Sequence, residues 1–233
     1  KEKSIAILSV DPTSPFTGGA ILGDRIRMIE HYDNPEVFIR SIGSRGSRGG
    51  LAENISLAGD VLDAAGFDII IFETVGVGQI ELDIIETADT TVVVLVPESG
   101  DDIQVLKAGL MEIADIFAIN KSDRLGADKI NISLNNFLSM IPQEKDKWHP
   151  KVVNTSVFEK FGFNQLIKII FDRYSYLDKS GEREEKHQTR YIRQVENIIS
   201  SHLNESFWTT KKREILNKAL NVKTSKRLNP LKL

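Results

Sequence analysis

The segment Phe67–Gln79, FDIIIFETVGVGQ, combines a carboxylate with closely spaced glycines at the end of an apolar run. The apolar residues Ile69–Phe72 have the length and the bounds of a buried strand. Glu73 follows them directly, and Gly76 and Gly78 come soon after. Open α/β sheets bind ligands at the carboxyl ends of their strands, where a carboxylate can hold Mg²⁺ beside a phosphate. The alternative is a capped strand that continues into an ordinary turn.

A second polar group, Asn120-Lys121-Ser122-Asp123, follows the apolar run Ile116–Ile119. Asn-Lys-x-Asp at the end of a parallel strand is the guanine-recognition motif of GTP-binding proteins. Guanine presents N1–H and N2–H as neighbouring donors, and the carboxylate of Asp123 can accept both; adenine presents no such pair, so that carboxylate would stay unpaired. Asn120 would tie loops together or contact the base edge, and the stem of Lys121 would lie along the purine ring. The same tetrapeptide also occurs on surface turns, so its place at a strand end is what favours recognition.

Two further stretches contain residues that suit phosphate or metal chemistry. Asp11 follows the first apolar run, and Asp24 and Arg25 follow the proline- and glycine-rich loop after it, although Asp24 and Arg25 are also compatible with surface charge. The segment Gly43–Gly50 places two arginines among glycines, which makes a candidate anion cradle at the start of the predicted helix Leu51–Ala65. A flexible linker is the alternative for this segment.

The apolar runs alternate with helical patterns along most of the chain. This alternation predicts an α/β fold with a mostly parallel sheet that is covered by helices on both faces. The predicted strands are Ser4–Val10, Phe67–Glu73, Thr90–Val96, Ile116–Asn120 and Val152–Ser156, with a weaker one at Val37–Ile42. The other predicted helices are Ile80–Glu86, Ile103–Ile113, Asn131–Ile141 and Asn164–Tyr176.

From Glu182 onward the pattern changes to long helices. Ile192, Val195, Ile199 and Leu203 form one apolar stripe, and a break is expected near Phe207-Trp208. These helices would either fold onto the α/β body or pack against another subunit. The predicted division is therefore an α/β domain at residues 1–180 and a helical arm at residues 181–233.

Composition excludes several classes of site. The 233 residues include no cysteine, which rules out disulfides and thiolate metal sites, and the four histidines lack any metal-ligand spacing. No apolar run approaches the length of a membrane span. Residues 183–233 carry twelve Lys and Arg against five Glu, but this charge is spread out and suits solvated helix faces. We therefore expect neither a nucleic-acid partner nor a membrane partner.

Taken together, these motifs resemble the MeaB/ArgK family of P-loop GTPases, which are chaperones of cobalamin-dependent acyl-CoA mutases such as methylmalonyl-CoA mutase. The resemblance covers roughly residues 4–180. The stretches that carry it are VDPTSPFTGGAILGDRIRM (Val10–Met28), SRGSRGG (Ser44–Gly50), FETVGVGQ (Phe72–Gln79), PESGDDIQVLKAGLMEIAD (Pro97–Asp115) and NKSD (Asn120–Asp123). The helical tail resembles the family's dimerisation arm, which implies a homodimer. Related nickel- and cobalt-handling GTPases use Cys/His sites, and the lack of cysteine argues against them.

The resemblance implies a role for each matching residue. Asp24 and Glu73 would hold Mg²⁺, directly or through water, with Asp11 close to the metal and the phosphates. Glu98–Lys107 would be the switch III segment that relays the nucleotide state to the mutase. Gly76, Gly78 and Gln79 would form switch II and respond to the γ-phosphate, and the residues implied in catalysis are Gln79 and Lys107. The residues implied in guanine binding are Asn120, Lys121, Asp123 and Ser156.

The chain departs from the family pattern in two places. Arg48 stands where the family usually has an apolar residue. No G-x-x-x-x-G-K-[ST] phosphate loop occurs in the 233 residues; in the family it lies upstream of the strand equivalent to Ser4–Val10. Losing three charge-assisted bonds from that loop would cost about 4.5–9 kcal/mol, or at least about three decades of affinity. The expectation is a truncated chain that lacks the first strand and does not hydrolyse GTP appreciably by itself.

The predicted function of the full-length protein is a GTP/GDP- and Mg²⁺-dependent GTPase that gates cobalamin loading and protection of an acyl-CoA mutase. No residue qualifies as a general base, so slow, partner-stimulated turnover is expected. The alternative is a nucleotide-free scaffold that has lost its phosphate loop; a more remote one is a transporter-linked kinase for basic amino acids. The expected location is the bacterial cytoplasm or the mitochondrial matrix.

Overall fold

The computed structural model describes residues 3–11, 28–43, 50–74, 85, 87–97, 110–142 and 144–222. The chain divides into two compact units, Lys1–Lys186 and His187–Leu233. Among the helices within the described ranges, none is long and apolar enough to cross a membrane. The predicted domain limits, residues 1–180 and 181–233, stay a prediction.

The first unit contains a three-stranded parallel sheet with the order β2-β1-β3. Its strands are β1 (Ile5–Asp11), β2 (Val37–Gly43) and β3 (Ile69–Thr74), and helix α1 (Gly50–Ala64) lies between β2 and β3 in the chain. Parallel strands need a crossover connection, which α1 supplies.

The core of this sheet forms between alternate residues of β1 and one side of α1. Ala6 and Leu8 pack with Leu62, and Val10 packs with Ile55. The ring of Phe72 also reaches α1, because Gly59 leaves room for it: an added Cβ at Gly59 would lie 2.8 Å from Cζ of Phe72. Since side chains alternate along a strand, Ser9 and its neighbour in register, Glu73, face away from α1.

A second three-stranded parallel sheet has the order β4-β5-β6. Its strands are β4 (Val92–Leu95), β5 (Ile116–Ile119) and β6 (Lys151–Asn154). Helix α2 (Leu110–Ile113) precedes β5, α3 (Ala127–Met140) follows it, and α4 (Phe163–Ser180) follows β6.

Strand β5 is buried along its whole length because helices cover both of its faces. Phe117 and Ile119 pack against residues of α3 such as Leu134. Ile116 and Ala118, on the other face, pack with apolar residues of α4. A strand that is covered on both sides reads as a continuous apolar run, which is why the sequence pattern identified it.

Four strand edges have no strand partner among the described residues: those of β2 and β3 in the first sheet and those of β4 and β6 in the second. β3 pairs with β1 on one side only, and β4 pairs with β5 on one side only. Apolar side chains are exposed on both of these strands: Ile71 of β3 is 43% exposed and Val94 of β4 is 60% exposed. Unpaired edges with exposed apolar side chains are suited to pairing with a further strand.

A buried arginine links the helices around the second sheet. Arg173 of α4 is 4% exposed. Its Nε lies 2.9 Å from Oδ1 of Asp115, an ion pair without hydrogen-bond alignment, and its Nη1 donates to Glu182 at 3.0 Å. The guanidinium also lies over the rings of Trp148 and Tyr176, with its carbon 5.4 Å and 5.2 Å from their centroids. Asp115 immediately precedes β5, so this cluster lies at the amino end of that strand.

Lys186 extends the same charged region toward β4. Its Nζ donates to the backbone carbonyl of Asp89 at 2.7 Å. Burial lowers the pKa of Lys186 below its ordinary value, and the nearby Arg173 acts in the same direction, while Asp115 opposes the shift.

The second unit is helical. Helix α5 (Glu182–Phe207) begins in the first unit and continues into the second, where α6 (Thr210–Leu220) follows it. The side chain of Thr209 caps α6 by accepting a hydrogen bond from the backbone N–H of Lys212. Neither helix contains a buried residue, and the apolar stripe of α5 is exposed.

The α/β fold class with a mostly parallel sheet is confirmed, and so is every predicted strand, including the weaker one at Val37–Ile42. The sixth strand ends at Asn154 rather than Ser156, because Thr155 and Ser156 turn into the next loop. The helix predicted at Asn131–Ile141 begins earlier, at Ala127, after Gly126 with φ +100°. The predicted helix Ile80–Glu86 lies outside the described residues except for Ile85, and most of Ile103–Ile113 lies outside them too.

Candidate functional site

The tetrapeptide Asn120–Asp123 directly follows β5. The backbone N–H of Asn120 donates to the carbonyl of Leu95 at 2.8 Å, which continues the β-ladder by one residue. Lys121 has φ +55°, one of two positive values among the described non-glycine residues; the other is at Lys160. Such backbone geometry costs about 1–3 kcal/mol and persists where surrounding contacts enforce it. The chain therefore leaves β5 abruptly, in a loop with a fixed shape.

Asp123 is held by a residue from the loop after β6. Ser156 is fully buried, and its Oγ donates a hydrogen bond to Oδ1 of Asp123. The same Oγ accepts from the backbone N–H of Glu159 at 3.0 Å. Ser156 is fixed in turn by two 3.2 Å backbone hydrogen bonds with Phe161. The carboxylate predicted to recognise guanine thus has a defined orientation.

Two more contacts join these loops, between the predicted Asn120–Asp123 motif and Thr155. The backbone N–H of Ser122 donates to the carbonyl of Thr155 at 3.1 Å. Oγ1 of Thr155 donates to Oδ1 of Asn120 at 3.3 Å. Thr155 is buried and directly precedes Ser156.

Gly162 and Asn154 form the base of the loop that contains Ser156. Gly162 has φ +85°, and an added Cβ there would lie 2.0 Å from the carbonyl oxygen of Asn154. Glycine is thus required for both the backbone angle and the close approach. On its other side, Oδ1 of Asn154 accepts from Nδ2 of Asn131 in α3 at 2.9 Å.

The candidate metal ligand Glu73 lies at the carboxyl end of β3, one residue before the strand ends. Its Oε2 accepts a hydrogen bond from Oγ of Ser9, the residue opposite it in β1. Asp11 ends β1, and only its backbone is described. A single ordered carboxylate at a strand end supplies the oxygen donors that Mg²⁺ prefers, so Glu73 fits the ion.

The structure brings together Asn120, Asp123 and Ser156, and it places Lys121 in the same loop. It pairs Glu73 with Ser9, which sequence reasoning did not identify. The remaining predicted site residues lie outside the described residues: Asp24, Gly76, Gly78, Gln79 and Lys107. The roles of all these residues stay predictions.

Comparisons with known proteins agree with the resemblance found in the motifs. The family model described as methylmalonyl-CoA mutase-associated GTPase MeaB matches residues 1–212. A putative GTPase of Pyrococcus abyssi is 50% identical over 201 residues, with 84% of this chain and 61% of that protein covered. The GTPase ArgK of Escherichia coli is 35% identical, with 87% and 64% covered. A mitochondrial methylmalonic aciduria type A homolog of Mus musculus is 33% identical, with 88% and 50% covered.

Among solved structures, the crystal structure of an LAO/AO transport system kinase matches 99% of this chain and 69% of its own, with a TM-score of 0.65 and 24% identity. This match supports the fold. The chain spans between half and about two thirds of the length of the three curated relatives above. The match over residues 1–212 nevertheless includes nearly the whole chain, which therefore belongs to the MeaB family of methylmalonyl-CoA mutase-associated GTPases.

Proposed function

We propose that the protein binds and hydrolyses GTP with Mg²⁺, and that its GTP cycle gates cobalamin loading and protection of an acyl-CoA mutase such as methylmalonyl-CoA mutase. The observation that carries this proposal is the buried Ser156, which holds the carboxylate of Asp123 at the carboxyl edge of β5 and β6. This edge is the ligand-binding side of a parallel sheet.

In the proposed site, Asp123 accepts N1–H and N2–H of guanine. The hydrogen bond from Ser156 to Oδ1 keeps the carboxylate from rotating, so less side-chain entropy is lost when the base binds. Thr155 holds the amide of Asn120, which ties the two loops together. Lys121, fixed at a positive φ, places its stem along the purine ring.

Glu73 is the described residue that would hold Mg²⁺, with Asp24 and Asp11 as the further acidic residues. When bound, Mg²⁺ neutralises charge on the phosphates of GTP. Glu73 contributes a negatively charged oxygen at a fixed place at the end of β3. Gly76, Gly78 and Gln79 are proposed to respond to the γ-phosphate.

We propose that the phosphate loop and its strand complete this site. The unpaired edges of β3 and β4, with Ile71 and Val94 exposed, support pairing with a further parallel strand that joins the two sheets. The greater length of the relatives also supports this proposal. Without such a strand, the 233-residue chain is expected to show no appreciable GTP turnover.

The relatives' names support the proposed partner and the proposed location. The family name includes methylmalonyl-CoA mutase, and the mouse relative is described as a mitochondrial methylmalonic aciduria homolog. We propose a location in the bacterial cytoplasm or the mitochondrial matrix, and the word mitochondrial in the mouse relative's name supports the second. We further propose that the protein is a homodimer formed through the exposed apolar stripe of α5.

Nucleotide binding tests this proposal most directly. The gene product, expressed through its full reading frame, should bind GTP and GDP far more tightly than ATP in the presence of Mg²⁺, and should retain the mutase in a pull-down in at least one nucleotide state. The nucleotide-free scaffold is the other outcome: the mutase is retained equally with and without nucleotide, and no guanine nucleotide binds. A protein that neither binds GTP nor retains the mutase would refute both functions.

The dimer has its own test in sedimentation. Ile199→Arg introduces a charge into the apolar stripe of α5, where Ile199 is 53% exposed, and is expected to shift a dimer toward monomer. Ser200→Arg changes the next residue, outside the stripe, and serves as the matched control. Equal sedimentation of both variants and the unchanged protein would exclude this interface.

A further inference from the structure

Three polar residues form one row across the first sheet. Ser41 of β2, Ser9 of β1 and Glu73 of β3 are in register, and parallel neighbours in register share one face of a sheet. Ser9 is only 1% exposed, and its Oγ donates to Oε2 of Glu73. Ser41 also has a buried hydroxyl, but this hydroxyl has no hydrogen-bond partner within the described part of the chain.

We propose that Ser9 is a positioning residue for the metal site: it fixes the carboxylate of Glu73 so that Oε1 is the oxygen presented to Mg²⁺. This inference rests on the proposed GTPase function and goes beyond it, because nothing in the guanine or phosphate chemistry requires a hydroxyl in β1. Ser9 does not touch the nucleotide in this scheme and acts only through Glu73.

The hydrogen bond explains how one carboxylate can be a selective ligand. An unrestrained glutamate samples several rotamers and can turn either oxygen, or both, toward a cation. Ser9 has a single hydroxyl hydrogen, and its donation to Oε2 selects one carboxylate orientation. Removing a hydrogen bond to a metal-binding carboxylate commonly lowers the metal affinity by about 10–100-fold.

The position of Ser9 supports the same conclusion. It interrupts the apolar strand IAILSVD at a residue that is almost completely buried. A buried hydroxyl without a partner costs free energy, and the hydrogen bond to Glu73 offsets this cost for Ser9. Of the two serines in this row, only Ser9 lies beside β3, the strand that contains Glu73.

The test uses the gene product expressed through its full reading frame, with a fluorescent GDP analogue whose release is followed as Mg²⁺ is titrated. Ser9→Ala should raise the Mg²⁺ concentration at half-maximal retention by about tenfold or more, and should leave nucleotide affinity in EDTA unchanged. Ser41→Ala removes the neighbouring hydroxyl from the same row and should behave like the unchanged protein. Ser9→Thr keeps a donor and should restore most of the Mg²⁺ affinity.

Thermal unfolding of each variant separates folding defects from metal effects. If Ser9→Thr does not fold, Ser9→Cys replaces it; its weaker donor should give an intermediate Mg²⁺ midpoint. The inference is overturned if Ser9→Ala keeps the original midpoint, or if Ser41→Ala shifts it equally. In both cases the unchanged protein still binds nucleotide with Mg²⁺, so the proposed function stands. If the unchanged protein binds no guanine nucleotide, the proposed function and this inference both fail.

Discussion

Replacing Asp123 with asparagine should move the base preference of the protein from guanine to xanthine. Oδ1 of Asp123 accepts from Ser156, and this hydrogen bond persists if the amide oxygen of asparagine takes the same place. The amide nitrogen then replaces Oδ2. Xanthine has a carbonyl where guanine has its N2 amine, so the new N–H₂ group has an acceptor in xanthine but faces a donor in guanine.

The size of the change follows from the hydrogen bonds exchanged. GTP loses at least one hydrogen bond to a charged group, worth about 1.5–3 kcal/mol. XTP gains a neutral hydrogen bond, worth about 0.5–1.5 kcal/mol. The ratio of the two affinities should therefore change by about 2–4.5 kcal/mol, or roughly one and a half to three decades.

Competition of GTP and XTP against a fluorescent guanine nucleotide measures this ratio. The ratio is the useful quantity, because phosphate contacts contribute equally to both nucleotides and cancel. Asp128→Asn is the matched control: it makes the same chemical change at an exposed residue in the first turn of α3 and should leave the ratio unaltered.

Base recognition by Asp123 would be refuted if Asp123→Asn weakened the binding of GTP and XTP by the same factor. That result would mean that Asp123 supports the loop without contacting the base. A ratio that moved equally in Asp128→Asn would attribute the effect to general charge rather than to base recognition.

Three further predictions concern stability. Arg173→Met leaves Asp115, whose side chain is 13% exposed, without its ion pair and should lower the free energy of unfolding by about 3–5 kcal/mol in urea titrations. Arg173→Lys should be intermediate, and a loss below about 1 kcal/mol, which is that of a surface pair, would contradict this. Burial lowers the pKa of Lys186 below 10.5, so between the lowered pKa and 10.5 the unfolded chain binds more protons than the folded one, and stability should rise with pH in that alkaline window. Urea titrations at several pH values measure this rise, which Lys186→Met should lack. The same dependence of stability on pH in Lys186→Met and the unchanged protein would contradict the prediction. Gly162→Ala and Gly181→Ala both place alanine at a positive φ, but of the two only Gly162 has an atom within 4 Å of the added Cβ. Gly162→Ala should therefore lower the melting temperature and the GTP affinity much more than Gly181→Ala does. Equal melting temperatures of the two variants would show that the loop can shift to accommodate the Cβ.

The α/β class, the six strands and the acidic and Asn-Lys-x-Asp motifs at strand ends could all be predicted from the sequence. These features have local causes. A buried parallel strand is a continuous apolar run, as at Ile116–Ile119, and a motif that follows such a run must lie at the carboxyl edge of the sheet. The start of one helix was less precise: α3 begins at Ala127, directly after Gly126, rather than at Asn131.

Only the tertiary structure decided which side chains orient the candidate ligands. Ser156 reaches Asp123 across 33 positions of sequence, and Ser9 reaches Glu73 across 64. Both pairs arise because parallel strands bring distant segments into register at one edge, and neither serine has a local pattern that marks its partner. The burial of Arg173 beside Asp115 likewise depends on tertiary packing. From sequence alone, a charged residue on a helix is expected to be exposed, and only the packing of that helix against the sheet shows that Arg173 is not.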